Sequence, residues 1–322
     1  MAIMEPPASA RWTAVSSGES GAAVFRRDDG AVYAKCVGPH GVDDLRAERD
    51  RVRWLSGTGI GCPAVVGWTS SASGACLVTT AVPGVPASEL PSAVLLRAWP
   101  GLIGALRRLH ELPAAECPFE RRLPRMLRTA EDVVRRDAVD PDFLTDEQRG
   151  VPPPELLAGL LRESDLRLAQ EVDDLVVCHG DACLPNLLVD PDTLRCTGLI
   201  DLGRLGVADR HADLALLTAN ARESWTGDDE RRADELLVET YRARVDPERL
   251  RFYLRLDPLT WAAEWGVRGV RPERATGRRP PAQSGESTPS SQGPRSPRRC
   301  CAPCADHTAP AKTAGGPLWS PG

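Results

Sequence analysis

The sequence predicts an α+β chain in two lobes, a small β-rich one at the N-terminus and a larger, mainly α one after it. Three observations predict this. Short β-like runs alternate with turn residues up to about residue 81, and apolar residues then recur at three- and four-residue spacing. From Ala262 onward the hydrophobic period stops, in a stretch dense in Pro, Gly, Ser and Arg. With 322 residues, 42% hydrophobic and 26% charged, the chain holds material for two modest cores. We therefore expect an N-terminal lobe over residues 1–81, a second lobe over 82–261 and a tail over 262–322. That tail lacks the apolar area needed to offset its ordering entropy.

In the first lobe, strands are expected at 22–25 and 31–37, joined by a turn at Asp28, Asp29 and Gly30. A helix follows over 43–55, then strands at 63–68 and 75–80. Lys35 falls in the nearly apolar run AVYAKCV, where an ammonium has no reason to be unless something anionic meets it. Glu48 shares the helical face of Leu45, Val52 and Leu55, so a carboxylate lies on a core-facing stripe and needs a cation. Lys35 is the candidate. Upstream, the run SSGESG at 16–21, with Ser20 inside it, has backbone N–H groups that could close over phosphates.

In the second lobe, Leu95, Trp99, Leu102, Leu106 and Leu109 mark one helix, and the leucines from Leu156 to Leu168 predict another. The Arg-, Asp- and Pro-rich stretch at 117–154 reads as an irregular or short-helical insertion able to cover a site.

Charge and targeting bound the function. Residues 1–261 carry 31 basic and 41 acidic groups, net −10, while the tail carries nine and four. An acidic body suits a cationic small molecule and disfavours nucleic acid. Arg97, Arg107 and Arg108 interrupt the best apolar run, which is too short for the ~20 residues of a membrane span. The start lacks a basic segment followed by an apolar one, so a cytoplasmic protein with reduced thiols is expected. Cys300, Cys301, Cys304 and His307 are too crowded for the separated ligand pairs of a structural zinc site.

The chemistry concentrates at 175–215. An apolar strand at 175–178 delivers His179, Gly180 and Asp181 to a loop, and Asn186 follows in an H-x-D-x-x-x-x-N pattern. A hairpin around Asp190, Pro191 and Asp192 then ends at Asp201, in Ile-Asp-x-Gly. Two acids and an amide at strand and loop ends match the needs of phosphoryl transfer: a carboxylate for the acceptor hydroxyl and hard oxygen ligands for a cation on the triphosphate. Asp181 suits the first task, and Asn186 and Asp201 the second.

HGDACLPN followed by IDLGRLGVADRHADLA resembles the aminoglycoside phosphotransferase family, and the resemblance extends over about residues 11–261. It implies a two-lobed protein-kinase-like fold, ATP and Mg²⁺ as cofactors and an aminoglycoside as the small-molecule partner. It further implies Asp181 as catalytic base, His179 as a residue that fixes the loop, and Asn186 and Asp201 as metal ligands. Lys35 would contact the α- and β-phosphates with Glu48 as its partner, Arg204 would lie beside the active site, and Asp213 would buttress the catalytic loop. The absence of H-R-D, D-F-G and A-P-E elements argues against a protein substrate. Another small alcohol as acceptor, or a catalytically silent nucleotide-binding module, remains open, and oligomeric state is not legible.

Overall fold

The computed structural model describes residues 3–15 and 22–262. In it β1 (Trp12–Val15), β2 (Ala23–Arg27), β3 (Val32–Val37), β4 (Val65–Ser71) and β5 (Gly74–Thr80) form one antiparallel sheet in the order β1-β2-β3-β5-β4. Gly30 closes the β2–β3 turn at φ 73°, a backbone conformation that glycine adopts without steric cost. The strand β1 is an addition to the expected set. At the sheet edge Thr13 and Ala14 are exposed between a partly buried Trp12 and a buried Val15, so the strand carries no alternation that a sequence pattern could reveal.

Period-two alternation gives the two faces of β3 different work. Val32, Ala34 and Cys36 pack with Cys76 and Val78 under Met4, Trp12 and Phe25. Lys35 and Val37 point to the other face, where α1 (Val42–Ser56) lies. Leu45, Val52 and Leu55 of α1 are buried, so the stripe that carries Glu48 faces inward as expected.

Beyond the sheet the chain is mainly helical: α2 (Ser92–His110), α3 (Leu123–Arg135), α4 (Pro153–Leu161), α5 (Ser164–Glu171), α6 (Arg210–Arg222), α7 (Asp228–Tyr241) and α8 (Pro247–Leu256). Two small antiparallel sheets are set among these helices. One orders β6 (Val85–Pro86), β8 (Leu187–Val189) and β9 (Cys196–Leu199), and the other pairs β7 (Leu175–Cys178) with β10 (Gly206–Asp209). The largest core gathers Leu95, Trp99, Leu102 and Leu106 of α2 against Leu187, Leu199 and Leu214. Among the described residues no helix is long and apolar enough to cross a membrane.

Two expectations need correction. The leucines from Leu156 to Leu168 belong to two helices, because the Ser164 hydroxyl donates to the Leu161 carbonyl at 2.8 Å and ends the first. Leu161 and Leu166 are 40% and 56% exposed, so the series never shared one face. The stretch at 117–154 is likewise more regular than expected. Leu123, Met126, Leu127, Ala130 and Val133 bury one side of the 13-residue α3, whose apolar period is hidden in the sequence by surrounding arginines. The first backbone N–H of α3 donates to Glu171 Oε1 at 2.7 Å, a cap supplied from far along the chain.

Candidate active site

Strand β7 ends at Cys178, and the chain then turns sharply through Gly180 at φ 82°. A Cβ there would lie 2.2 Å from the Arg204 carbonyl oxygen, so both the conformation and the space demand glycine. This close approach presses the loop of His179 to Asp181 against the segment after Asp201. The His179 ring locks the two together: one ring nitrogen, Nε2, bonds the Ile200 carbonyl oxygen at 2.9 Å, and the other, Nδ1, accepts the Asp181 N–H at 3.2 Å. His179 is fully buried within the loop.

Asp181 is 3% exposed. Its Oδ2 accepts from Asn186 Nδ2 at 2.9 Å, and the same amide group donates to the Asp181 carbonyl. The other carboxylate oxygen, Oδ1, is buried without a protein partner. A buried, half-satisfied carboxylate is costly in a mere turn, and such an oxygen marks a place for a ligand. Burial, with Asp201 nearby, pushes the Asp181 carboxyl above its ordinary value, while Arg204 works in the opposite direction.

Asp201 follows β9 in the left-handed region at φ 58°, an uncommon conformation for a non-glycine residue and one that clusters at functional sites. Its Oδ1 lies 3.3 Å from Lys35 Nζ. Lys35 in turn donates to Glu48 Oε2 at 2.8 Å. The ammonium thus bridges a carboxylate of its own lobe and one of the other. Burial opposes the charge on Lys35, and Asp201 and Glu48 more than offset it, raising the ammonium above its ordinary value. The proximity of Lys35 holds Asp201 below the usual carboxylate range against the pull of burial. A second link between the lobes is the Arg51 guanidinium of α1, whose Nε donates to the Leu205 carbonyl at 2.7 Å.

Arg204 lies just past this point. Its guanidinium stacks 4.0 Å above the Trp261 ring, bonds the Thr260 hydroxyl and lies 3.5 Å from Asp257 Oδ1. Arg121 approaches the same Asp257 oxygen at 3.3 Å, and burial and Arg204 both depress the Arg121 guanidinium. Arg121 and Asp257 were missed by sequence reasoning. Arg121 is one of several arginines in a stretch without visible period, and only the fold selects it.

Lys35, Glu48, His179, Asp181, Asn186 and Asp201 are therefore brought together, with Arg204 beside them. Ser20 and its run at 16–21 lie outside the described residues, as do Cys300, Cys301, Cys304 and His307. Five acids of the 117–154 stretch are largely solvent-facing: Asp137, Asp142, Asp146 and Glu147 are exposed and Asp140 partly so.

An antiparallel sheet carrying the lysine, a helical lobe carrying the H-x-D loop and an acid pairing with that lysine across the lobes define a phosphotransferase of the kinase-like fold. The chain belongs to the phosphotransferase enzyme family, which it matches over residues 11–253. It is 57% identical over 251 residues to the streptomycin 3''-kinase of Streptomyces griseus, covering 78% of this chain and 92% of that one. It is 42% identical over 260 residues to an aminoglycoside 3'-phosphotransferase of Streptomyces fradiae, covering 76% and 94%. Among solved structures it resembles the aminoglycoside phosphotransferase APH(3'')-Id of Streptomyces rimosus in complex with ADP and streptomycin, with a TM-score of 0.73 and 53% identity over 78% of this chain and 93% of that one.

Proposed function

We propose that the protein transfers the γ-phosphoryl group of ATP to the 3''-hydroxyl of streptomycin in the cytoplasm and so confers resistance to the antibiotic. The observation that carries this reading is the buried Asp181 carboxylate, oriented by Asn186 and left with one unpaired oxygen, facing an otherwise intact phosphoryl-transfer constellation. The similarity to streptomycin kinases supplies the acceptor.

Asp181 is the general base. Its free oxygen takes the proton of the acceptor hydroxyl as that oxygen bonds to the γ-phosphorus and the bond to the β–γ bridging oxygen breaks, releasing ADP. The raised Asp181 carboxyl improves it as a base at neutral pH. Lys35 meets the α- and β-phosphates, and Glu48 holds it in place for them. Arg204 lies beside Asp181 as a cation that restrains the charge gathering at the transferring phosphoryl group.

Asp201 and Asn186 both offer hard oxygen atoms, a donor set that fits Mg²⁺ better than a soft metal. When bound there, Mg²⁺ supplies charge neutralisation of the triphosphate. Asp201, kept ionised by Lys35, would hold it together with Asn186.

Streptomycin carries two guanidinium groups and an amine, and residues 1–261 are net −10. Asp137, Asp140, Asp142, Asp146 and Glu147 form an acidic stretch that steers such a cation towards the cleft. The test is ATP consumption by the purified protein with Mg²⁺ and a panel of aminoglycosides. Turnover is expected with streptomycin and little with kanamycin or neomycin. The reverse order would move the acceptor to that of the 3'-phosphotransferases while leaving the kinase reading in place.

A further inference from the structure

The loop that presents Asp181 is held from behind by Asp213 of α6. Its Oδ2 accepts the His179 N–H at 2.6 Å and its Oδ1 the Gly180 N–H at 2.8 Å. A third donor reaches the same carboxylate from α2: His110 Nε2 lies 3.1 Å from Asp213 Oδ2. The other ring nitrogen, Nδ1, lies 2.6 Å from the Tyr241 hydroxyl of α7, and the two rings meet edge to face with centroids 5.7 Å apart. All three side chains are buried, His110 at 7%, Tyr241 at 4% and Asp213 at 0% exposure. Side chains from three helices thus form one chain of bonds that ends on the backbone of the catalytic loop.

The chemistry of the chain dictates its polarity. Burial opposes ionisation of Asp213, and the bond from His110 leads the contributions that overcome it, holding the carboxyl below its usual range. An ionised Asp213 only accepts, so His110 Nε2 carries a proton. Burial keeps the Tyr241 phenol protonated, pushing it above its ordinary value, and its hydroxyl lies against Nδ1. Tyr241 therefore anchors the edge of the ring turned away from Asp213. Cys178 faces the same space, but its thiol is directed to the Asp209 carbonyl at 3.4 Å and the Ala208 carbonyl at 3.8 Å. These polar groups are spent on one another, so the cluster reads as a hydrogen-bonded strut and not as a metal site.

We propose that His110 is a positioning residue for phosphoryl transfer, acting through Asp213 on the loop that aims Asp181, with Tyr241 anchoring its ring. The inference rests on the reading of Asp181 as the base. Without His110, Asp213 loses one of its three donors and its rotamer is less firmly held. The loop then samples orientations in which the Asp181 oxygen misses the acceptor hydroxyl, and small misplacements at a reacting centre are expensive. Lys35, on which nucleotide binding centres, bonds Glu48 and Asp201 and none of the residues of this strut.

The experiment compares His110→Leu, His110→Gln, Tyr241→Phe and Asp181→Asn in the full-length protein, with circular dichroism as the check on folding. His110→Leu is expected to lower kcat by about 10- to 100-fold with the KM for ATP changed by no more than about twofold. The amide nitrogen of His110→Gln reaches the place of Nε2 and is expected to restore most of that loss. Tyr241→Phe is expected to lower kcat by about three- to tenfold at unchanged KM. Native kcat in folded His110→Leu, or equal losses in the Leu and Gln variants, would overturn the proposal and leave His110 as packing. Should His110→Leu not fold, Tyr241→Phe decides: a fall in kcat alone supports the strut and native kcat overturns it. Native kcat in Asp181→Asn would instead overturn the reading of the base itself.

Discussion

Lys35 of β3 reaches across the cleft to Asp201, 166 residues later in the chain, with Nζ 3.3 Å from Oδ1, while the same ammonium donates to Glu48 at 2.8 Å. One cation thereby sets the state of the acid proposed to hold the metal and ties the sheet to the helical lobe. Lys35→Ala is expected to raise the KM for ATP and to lower kcat/KM by on the order of 10²-fold. Glu48→Gln, which keeps the shape but removes the charge, should follow in the same direction with a smaller loss. Steady-state kinetics with ATP as the varied substrate check both, and an unchanged KM for ATP in Lys35→Ala would contradict the assignment.

Asp181→Asn is expected to lower kcat by about 10²- to 10⁴-fold while ADP binding, measured by calorimetry, stays near native. The pH profile carries independent information. Because burial and Asp201 raise the Asp181 carboxyl, turnover should fall on the acid side at a pH above the ~3.9 of an ordinary aspartate. A rate that holds level down to that value would show that the base is another group.

The Asp209 and Arg249 pair predicts stability and not activity. Asp209 is 1% exposed and accepts from His211 Nδ1 at 2.8 Å, the Tyr253 hydroxyl at 3.1 Å and Arg249 Nε at 3.1 Å. Asp209→Ala leaves the Arg249 cation in a buried place without its main partner and is expected to cost about 3–5 kcal/mol in chemical denaturation. Burial opposes the Asp209 charge, but the bonds from His211 and Arg249 prevail and hold its folded pKa below the unfolded one. Its stabilisation is therefore complete above pH ~4 and lost as pH falls through the folded value. The native protein should lose stability over that acid window, and Asp209→Ala should lose less. Equal acid sensitivity in the two would count against this contribution.

Much of the site was legible because it is local in sequence. His179, Asp181, Asn186 and Asp201 lie within one strand, loop and hairpin unit, so their spacing alone places them at neighbouring strand ends. Lys35 and Glu48 were legible for a different reason: each puts a charge where the local period demands an apolar residue. The strut escaped because His110 closes an ordinary amphipathic helix and Tyr241 ends another, 131 residues apart, and no local pattern links them. Arg121 and Asp257 escaped in the same way, being joined only by tertiary packing across 136 residues. Helix α3 was obscured by composition, since its arginines mask five buried positions that do follow a helical period.

The acidic surface makes a further claim about substrate capture. With residues 1–261 at net −10 and a cationic acceptor, kcat/KM for streptomycin should fall as salt rises, while kcat at saturation changes little. Replacing Asp142, Asp146 and Glu147 together by the corresponding amides should flatten that dependence. An unaltered salt slope would remove this stretch from the account.

The most direct measurement is the position of the phosphate on the product. Streptomycin incubated with the protein, ATP and Mg²⁺ should gain one phosphoryl group by mass spectrometry, and phosphorus–proton correlation should place it on the 3''-oxygen. A phosphate at any other oxygen, or unmodified streptomycin beside phosphorylated kanamycin, would contradict the proposed acceptor.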